Sequence, residues 1–413
     1  MDARHKAGHD KGRFMLRPGT FALTALLAAL TGIGPLSTDM YLPSLPEIAR
    51  QLHASTAQAQ FTISSYLIGF AVTQIVYGPV SDRHGRKPVL LAAIALYCVA
   101  SLVSAFSTSI EMLIIARVFQ AVGGSGGIVL TRAIVRDIYS GARAGRELSI
   151  IGSVMALAPV LAPVAGGVLQ TAFGWRSVFL TLVIAGLAIG ATVWLLLPET
   201  LKTRAAEPVS LGSMARSYGV VARNPAYLAY LGITAASFAG LFAWISGTAF
   251  VLQDLYGLSP FDFGIAFAFG SIGYMAGSAL SARLVERLGI DGMLGLGGCA
   301  CAIGGLGMIA AVASGLSSAW SLVLPMMVYL AGMGMVLPQG IAGAMTPFPE
   351  RAGAASSLFG FVQQTVSAIC GAIIGVLLGQ SAWPLADGVA VMGCLTLLLW
   401  VATIGIRRRG AKH

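Results

Sequence analysis

"PETLKTRAAEPVSLGSMARSYGVVARNP", residues 198 to 225, is the longest polar interruption in the chain. The sequence on either side of it is apolar for long stretches. A helix crossing a membrane needs about 20 mostly apolar residues. Twelve such runs can be placed, six before the interruption and six after, near 18–44, 57–80, 88–107, 110–134, 146–170, 175–198, 225–250, 260–284, 291–314, 318–341, 352–378 and 383–406. Composition agrees with this division. Residues are 56% hydrophobic and 10% charged, where soluble domains carry about 25% charged, and the mean hydropathy is +0.82. The expectation is an all-α polytopic membrane protein with twelve transmembrane helices in two pseudo-symmetric six-helix bundles, residues 18–198 and 225–406. A linker at 199–224 joins them, and tails at 1–17 and 407–413 flank them.

The net charge of +10 raises the question of nucleic acid. Its placement answers it. Of 26 Lys and Arg, 23 fall in the two tails, the central linker and every second loop, leaving only Arg50, Arg117 and Arg176. That distribution is the positive-inside bias of membrane proteins. It places both termini in the cytoplasm and leaves nothing for a nucleic-acid partner to explain. The first apolar run is long and has no clear A-x-A cleavage site, so it reads as a retained span rather than a signal peptide. All five cysteines, Cys98, Cys299, Cys301, Cys370 and Cys394, fall inside apolar runs. With no His or carboxylate beside them to complete a metal set, they read as small buried hydrophobes, and no metal or cofactor is expected.

An ionised side chain at membrane depth costs about 2.5–3.5 kcal/mol even on the lenient insertion scale, so each one needs a reason. No lysine lies in a span, and all five histidines are in tails or loops. Asp39, late in the first span, and Arg117, in the fourth, are the clear cases, while Glu111 and Asp387 sit at span ends. Asp39 is either an interfacial residue or a cavity-facing carboxylate. In the second case it is the one ordinary side chain able to load and release protons. Arg117 either snorkels to the outer surface or is a fixed charge that orients Asp39 or a substrate. Arg117, Gln120, Gly124 and Thr131 are spaced to share a helix face.

Other stretches stay open in the same way. "MALAPVLAPVAGG", residues 155–167, which includes Met155, repeats small residues and prolines at spacing four. That spacing lets helices approach closely, with or without a direct transport role. The aromatics of "FAGLFAWISGTAF", residues 238–250, including Phe238 and Trp244, either stack on a ligand or face lipid. Tyr66 and Gln364, mid-span and polar-tipped, are cavity candidates, as is Tyr41 beside Asp39. A fainter echo of duplication links "GPVSDRHGRKP" (78–88) to "GSALSARLVERLG" (277–289).

Together these pieces resemble a known pattern. "GPVSDRHGRKP" resembles the G-x-x-x-D-R-x-G-R-[KR] signature of the major facilitator superfamily. "ARVFQAVGGSGG" (116–127) is similar to its arginine-bearing fourth-span motif, and "APVLAPVAGG" (158–167) to its fifth-span antiporter motif. "STDMYLPSLP" (37–46), "VRDIY" (135–139), "PET" (198–200) and "SAWP" (381–384) resemble the bicyclomycin- and chloramphenicol-resistance (Bcr/CflA) subgroup of twelve-span drug:proton antiporters. The resemblance implies that Asp39 couples protons to substrate with Arg117 as its partner. With the cavity candidates read from the residues themselves, the expected substrate site comprises Asp39, Tyr41, Tyr66, Arg117, Gln120, Met155, Phe238, Trp244 and Gln364. Gly78, Asp82, Arg83, Gly85, Arg86, Lys87 and Asp137 would form a cytoplasmic conformational latch, and Pro159, Pro163, Gly166 and Gly167 the antiporter motif. Two departures stand out. Ala162-Pro163 replaces the family's Gly-Pro, and the stretch around Thr31 lacks the second acid of some multidrug relatives.

The leading expectation is therefore proton-coupled efflux of small drug-like molecules such as phenicols, bicyclomycin or sulfonamides by alternating access across the bacterial inner membrane. The protein would act as a monomer among membrane lipids, with the proton gradient as its energy source and no cofactor. A metabolite exporter (sugar, amino acid or siderophore) on the same scaffold is the alternative. An intramembrane enzyme should show an HExxH-type or nucleophile–base constellation in its spans, and a pump driven by ATP the G-x-x-x-x-G-K-[ST] phosphate loop. Neither pattern is present.

Overall fold

A computed structural model describes residues 16, 18–139, 141–155, 157–201, 211–316, 318–348 and 351–410. Most of the N-terminal tail, residues 202–210 of the linker and the last three residues lie outside the described residues. Among those described, the regular structure is helical throughout. Ten helices are long and apolar enough to cross a membrane. One of them, Pro260–Ala313, holds two crossings, because Gly289 (φ 69°, ψ 174°) breaks it where only glycine adopts that backbone without strain. The fifth crossing is split into shorter pieces, Gly141–Met155 and Ala158–Phe173. Counted this way, the twelve expected crossings are all present.

In chain order the helices are α1 (Phe21–Asp39), α2 (Leu45–Gln51), α3 (Thr56–His84), α4 (Arg86–Ala105), α5 (Ile110–Ile138), α6 (Gly141–Met155), α7 (Ala158–Phe173) and α8 (Arg176–Leu196). After the linker come α9 (Leu211–Ala222), α10 (Pro225–Phe250), α11 (Pro260–Ala313), α12 (Trp320–Met345), α13 (Ala352–Leu377), α14 (Trp383–Ala402) and α15 (Ile404–Gly410). Local chemistry sets several of these ends. Ser55 and Gln58 form a reciprocal capping box at the start of α3, and Asn224 caps α10 ahead of Pro225.

The expected loop at 81–88 is almost entirely helix. Only Gly85 is extended out of it (φ 102°), so α3 and α4 are continuous up to that single residue. The basic stretch that follows the fourth apolar run is likewise helical as far as Ile138. Helix signals outlast apolar signals here, because charged residues such as Arg are good helix formers.

Within the first six crossings α5 packs against α1, α3 and α4; within the second six, α10 packs against α12, α13 and α14. The two groups meet along α3 with α13 and along α7 with α11. The second seam is built by the fifth-span motif. A Cβ at Gly167 would lie 2.5 Å from the Pro260 carbonyl oxygen, and one at Gly264 2.5 Å from that of Pro163. Backbones this close require glycine on both sides. Pro163 has no N–H to give the Pro159 carbonyl one turn earlier. The Ser271 hydroxyl of α11 donates to that carbonyl instead, at 3.1 Å. Gly166 leaves equally little room against the Met40 carbonyl of α1. At the same end Gln253 donates to the Pro43 carbonyl at 3.1 Å, so the seam is closed there.

At the opposite, basic end the halves part around a cavity of about 570 Å³. The cysteines are not uniformly buried: Cys98, Cys301 and Cys370 are, whereas Cys299 and Cys394 are exposed on the outer helix surfaces. Apolar helices that face lipid present small side chains outward at no cost.

Candidate functional site

The last turn of α1 organises the deep site. Carbonyls at a helix C-terminus have too few intrahelical donors, and the end of the macrodipole there is negative. Arg117, fully buried on α5, meets both needs. Its Nη1 donates to the Ser37 carbonyl at 2.9 Å and to Gln120 Oε1 at 2.6 Å. Gln120, one turn along α5, passes the bond on to Ser101 Oγ at 2.8 Å. The Arg117 guanidinium also packs on two rings, 4.7 Å from the centroid of Tyr41 and 4.2 Å from that of Tyr66. Such cation–π contacts are each worth about 0.5–2 kcal/mol when desolvated. The rings are themselves pinned: Tyr41 to Thr62 at 2.7 Å, and Tyr66 as donor to the Gly34 carbonyl at 3.3 Å. Nε and Nη2 of Arg117 have no hydrogen-bond partner.

Asp39 is the last residue of α1 and only 6% exposed. Among the described residues it makes no ion pair and no hydrogen bond. The expected Asp39–Arg117 pair is therefore not formed in this conformation. The cation is held instead by the helix end and the tyrosine faces, two residues before Asp39. Of the expected substrate residues, Asp39, Tyr41, Tyr66, Arg117 and Gln120 converge here, and Met155 packs on the small cluster containing Tyr66 and Phe70. Gln364 is partly buried on α13, with an unpartnered Oε1. Trp244 is buried in the main core, and Phe238 lies against Phe242 with ring centroids 5.2 Å apart. None of the nine lines the large cavity at the basic end.

Sequence reading missed the inner shell of Ser37, Tyr97, Ser101 and Thr62. Ser37 Oγ and the Tyr97 hydroxyl are 2.7 Å apart. Isolated hydroxyls in spans commonly bond their own helix, so nothing in the sequence marks these four.

The charge cluster at the basic end is more fully assembled. Arg86 pairs with Asp82 at 2.6 Å and with Asp137 at 2.9 Å, and also donates to Ser81 Oγ at 2.6 Å. Lys87 donates to the Trp194 carbonyl at 2.7 Å. The Gly78 carbonyl accepts from the same Ser81 hydroxyl at 2.9 Å, and Gly78 also lines the cavity; Arg83 takes no part in these bonds among the described residues.

Glu199, from the "PET" stretch, is an unforeseen member. It accepts backbone N–H bonds from Arg86 (2.9 Å), Lys87 (3.2 Å), Thr200 (3.0 Å) and Leu201 (3.0 Å). It also explains Gly85, where a Cβ would stand 2.5 Å from Glu199 Oε2. Partial burial pushes the Glu199 carboxyl up, but the four N–H donors outweigh it and hold the group below the usual glutamate value. A depressed carboxyl stabilises the fold fully above its unfolded value, and that stabilisation is lost as pH falls through the folded one. Glu199→Gln should therefore cost no more than about 1 kcal/mol at pH 7, since the group is exposed to screening. It should also flatten the loss of melting temperature on acidification below the ordinary carboxylate range. Identical pH slopes in wild type and variant would exclude this role.

Every contact of the cluster lies within the first half of the chain. It braces α3, α4, α5 and α8 at the edge of the cavity.

Comparison with known proteins fits this geometry. Residues 27–372 match the family model of the Major Facilitator Superfamily. The chain is 29% identical to the "Bicyclomycin resistance protein homolog" of Haemophilus influenzae over 95% of its own length and 98% of that protein's. It is 30% identical to the "Chloramphenicol resistance protein" of Pseudomonas aeruginosa, over 93% and 90% respectively. The fold superimposes on a partially occluded inward-open structure of the Escherichia coli xylose transporter XylE with a TM-score of 0.72 at 14% identity, covering 93% of this chain and 97% of that one. A bundle of many membrane-spanning helices, closed at one end, parted around a cavity at the other and holding a buried arginine among its helices, is thus a transporter scaffold, and the chain belongs to the Major Facilitator Superfamily.

Proposed function

We propose that this protein exports small drug-like molecules such as phenicols, bicyclomycin or sulfonamides across the bacterial inner membrane in exchange for protons. The observation that carries the reading is Asp39: a carboxyl buried in the bundle, without a counter-ion or hydrogen bond among the described residues, two residues along α1 from the carbonyl that binds the buried Arg117. A group so placed can change charge without dismantling a salt bridge. The names of the resistance relatives supply the substrate class.

In this reading the basic end is cytoplasmic, as are both termini, and residues 18–198 and 225–406 are the two halves that rock about Asp39. The conformation seen is then inward-facing, with drug entering through the basic-end cavity. The Gly167 seam is the closed periplasmic gate. The Asp82–Arg86–Asp137 cluster braces the first half and would engage the second only as the cavity shuts. The protein works as a monomer in lipid and takes its energy from the proton gradient. One proton crossing 100 mV supplies about 2.3 kcal/mol, enough for an accumulation ratio of roughly fifty, before any pH gradient.

The test is a susceptibility and accumulation panel in cells that express or lack the protein. Phenicols, bicyclomycin, sulfonamides and cationic dyes would be compared with and without an uncoupler. Expression should lower accumulation of at least one neutral antibiotic, and the uncoupler should erase the difference. Protection that persists with the uncoupler would exclude proton coupling. A panel without any effect, alongside uptake changes for sugars or amino acids, would favour a metabolite exporter.

A further inference from the structure

The cavity at the basic end carries an unbalanced charge that the positive-inside pattern conceals. Arg132 and Arg136 count among the boundary charges in the sequence. Yet α5 continues through both, and they line the cavity between the halves instead of the outer, lipid-facing surface. They sit one turn apart on α5, both are exposed, and Arg132 feels the charge of Arg136. Among the described residues neither has an ion pair. Among the described residues the one acid on the wall, Asp82, is already committed to Arg86 at 2.6 Å. Across the cleft the polar groups are hydroxyls: Ser217 and Tyr218 on the linker helix α9, and Ser356 and Ser357 on α13 of the second half. Guanidinium groups one turn apart, facing hydroxyls, form a donor set for a planar or tetrahedral oxyanion. Low-dielectric walls focus such a field and raise the local concentration of the opposite charge.

We propose that this cavity is an anion-accepting vestibule, in which Arg132 and Arg136 recruit organic carboxylates or sulfonates as cargo on their way to the deep site. The assignment rests on the efflux reading only for the direction of travel. It widens the substrate class from neutral antibiotics to monoanionic ones and disfavours lipophilic cations. An oxyanion held between α5 and the α9–α13 wall would touch both halves at the mouth, where the cleft must narrow for transport. A lipid phosphate offers the same chemistry, and the test separates the two sources.

The five native cysteines are replaced by alanine, and Ser356→Cys places one thiol on the far wall. The protein is reconstituted in nanodiscs of phosphatidylcholine, with or without phosphatidylglycerol. Its modification rates by 2-sulfonatoethyl methanethiosulfonate (anionic) and by the trimethylammonium analogue (cationic) are compared with those of glutathione. The anionic-to-cationic rate ratio should exceed that of glutathione by about tenfold or more, as expected for a focusing cleft. It should collapse in high salt and in Arg132→Gln/Arg136→Gln, and be retained in Arg132→Lys/Arg136→Lys, which keeps the charge. Melting temperatures identify any variant that has not folded, and the lysine pair gives a second reading of the same charge. In phosphatidylcholine discs, chloramphenicol succinate should slow labelling more than chloramphenicol does. A ratio equal to that of glutathione, or one indifferent to the arginines, would overturn the vestibule. Slowing that appears only with phosphatidylglycerol and ignores chloramphenicol succinate would assign the cleft to a lipid headgroup and overturn its role for cargo. The labelling needs neither a proton gradient nor turnover, so its failure and that of the efflux reading are distinguishable.

Discussion

Asp39→Asn should abolish uphill drug efflux in proteoliposomes, by at least about a hundredfold, while leaving the fold intact. Asparagine matches aspartate in shape but cannot take up or give up a proton. The native carboxyl makes no hydrogen bond or ion pair among the described residues, so no partner is orphaned by the change. Unpaired charges are expensive to bury, so the variant should melt no lower than wild type. Drug moving down its own gradient should still exchange, because the cavity remains. The measurement is accumulation of radiolabelled chloramphenicol in everted vesicles energised by an imposed pH gradient, with melting temperature as the control for folding. Uphill accumulation at the wild-type level in Asp39→Asn would move the coupling site elsewhere.

Arg117→Met should be almost as damaging to transport, again by about a hundredfold, yet close to neutral for stability. Burying a cation costs several kcal/mol. Arg117 is compensated by two charge-assisted hydrogen bonds, each worth about 1.5–3 kcal/mol, and by two tyrosine faces at about 0.5–2 kcal/mol each. Its Nε and Nη2 are unpartnered and add nothing. The gains and the cost are of similar size, and methionine fills the same volume with apolar contacts. What is lost is the fixed buried charge at the end of α1 and the donor that ties Gln120 to Ser37. Arg117→Lys should not rescue transport, since an ammonium cannot lie flat against two rings while donating along a fork. A fall in melting temperature of ten degrees or more in Arg117→Met would mean that the arginine is chiefly structural. Full transport by Arg117→Lys would mean that charge alone suffices.

The twelve crossings were legible because hydropathy over 20 residues is a strong signal. Asp39, Arg117 and Gln120 were legible because polar groups at depth are costly and therefore conspicuous. Their mutual arrangement was not. The sequence suggests pairing of the only two opposite charges at depth, whereas the chain satisfies Arg117 with the end of α1 and the Tyr41 and Tyr66 rings. The membrane helices are apolar on most faces, so periodicity does not say which face a tyrosine or serine presents. Ser37, Tyr97, Ser101 and Thr62 stayed hidden for that reason. Glu199 was visible only as a resemblance, because its role depends on four backbone N–H groups that α4 and the start of the linker bring to it. Arg132 and Arg136 were misplaced by the loop boundary: helix α5 outlasts its apolar stretch, and carries both arginines into the cleft.

If proton and drug movement are tied together through Asp39, a drug gradient alone should move protons, with no pH gradient at the start. Proteoliposomes loaded with a pH-sensitive dye are given an outwardly or inwardly directed chloramphenicol gradient alone, in weak buffer. Drug flow should drive protons in the opposite direction, giving a lumenal pH change whose sign reverses with the gradient, and Asp39→Asn should show drug exchange with no pH change. Drug movement by the wild-type protein without a pH change, or the same pH change in Asp39→Asn, would contradict coupling through Asp39.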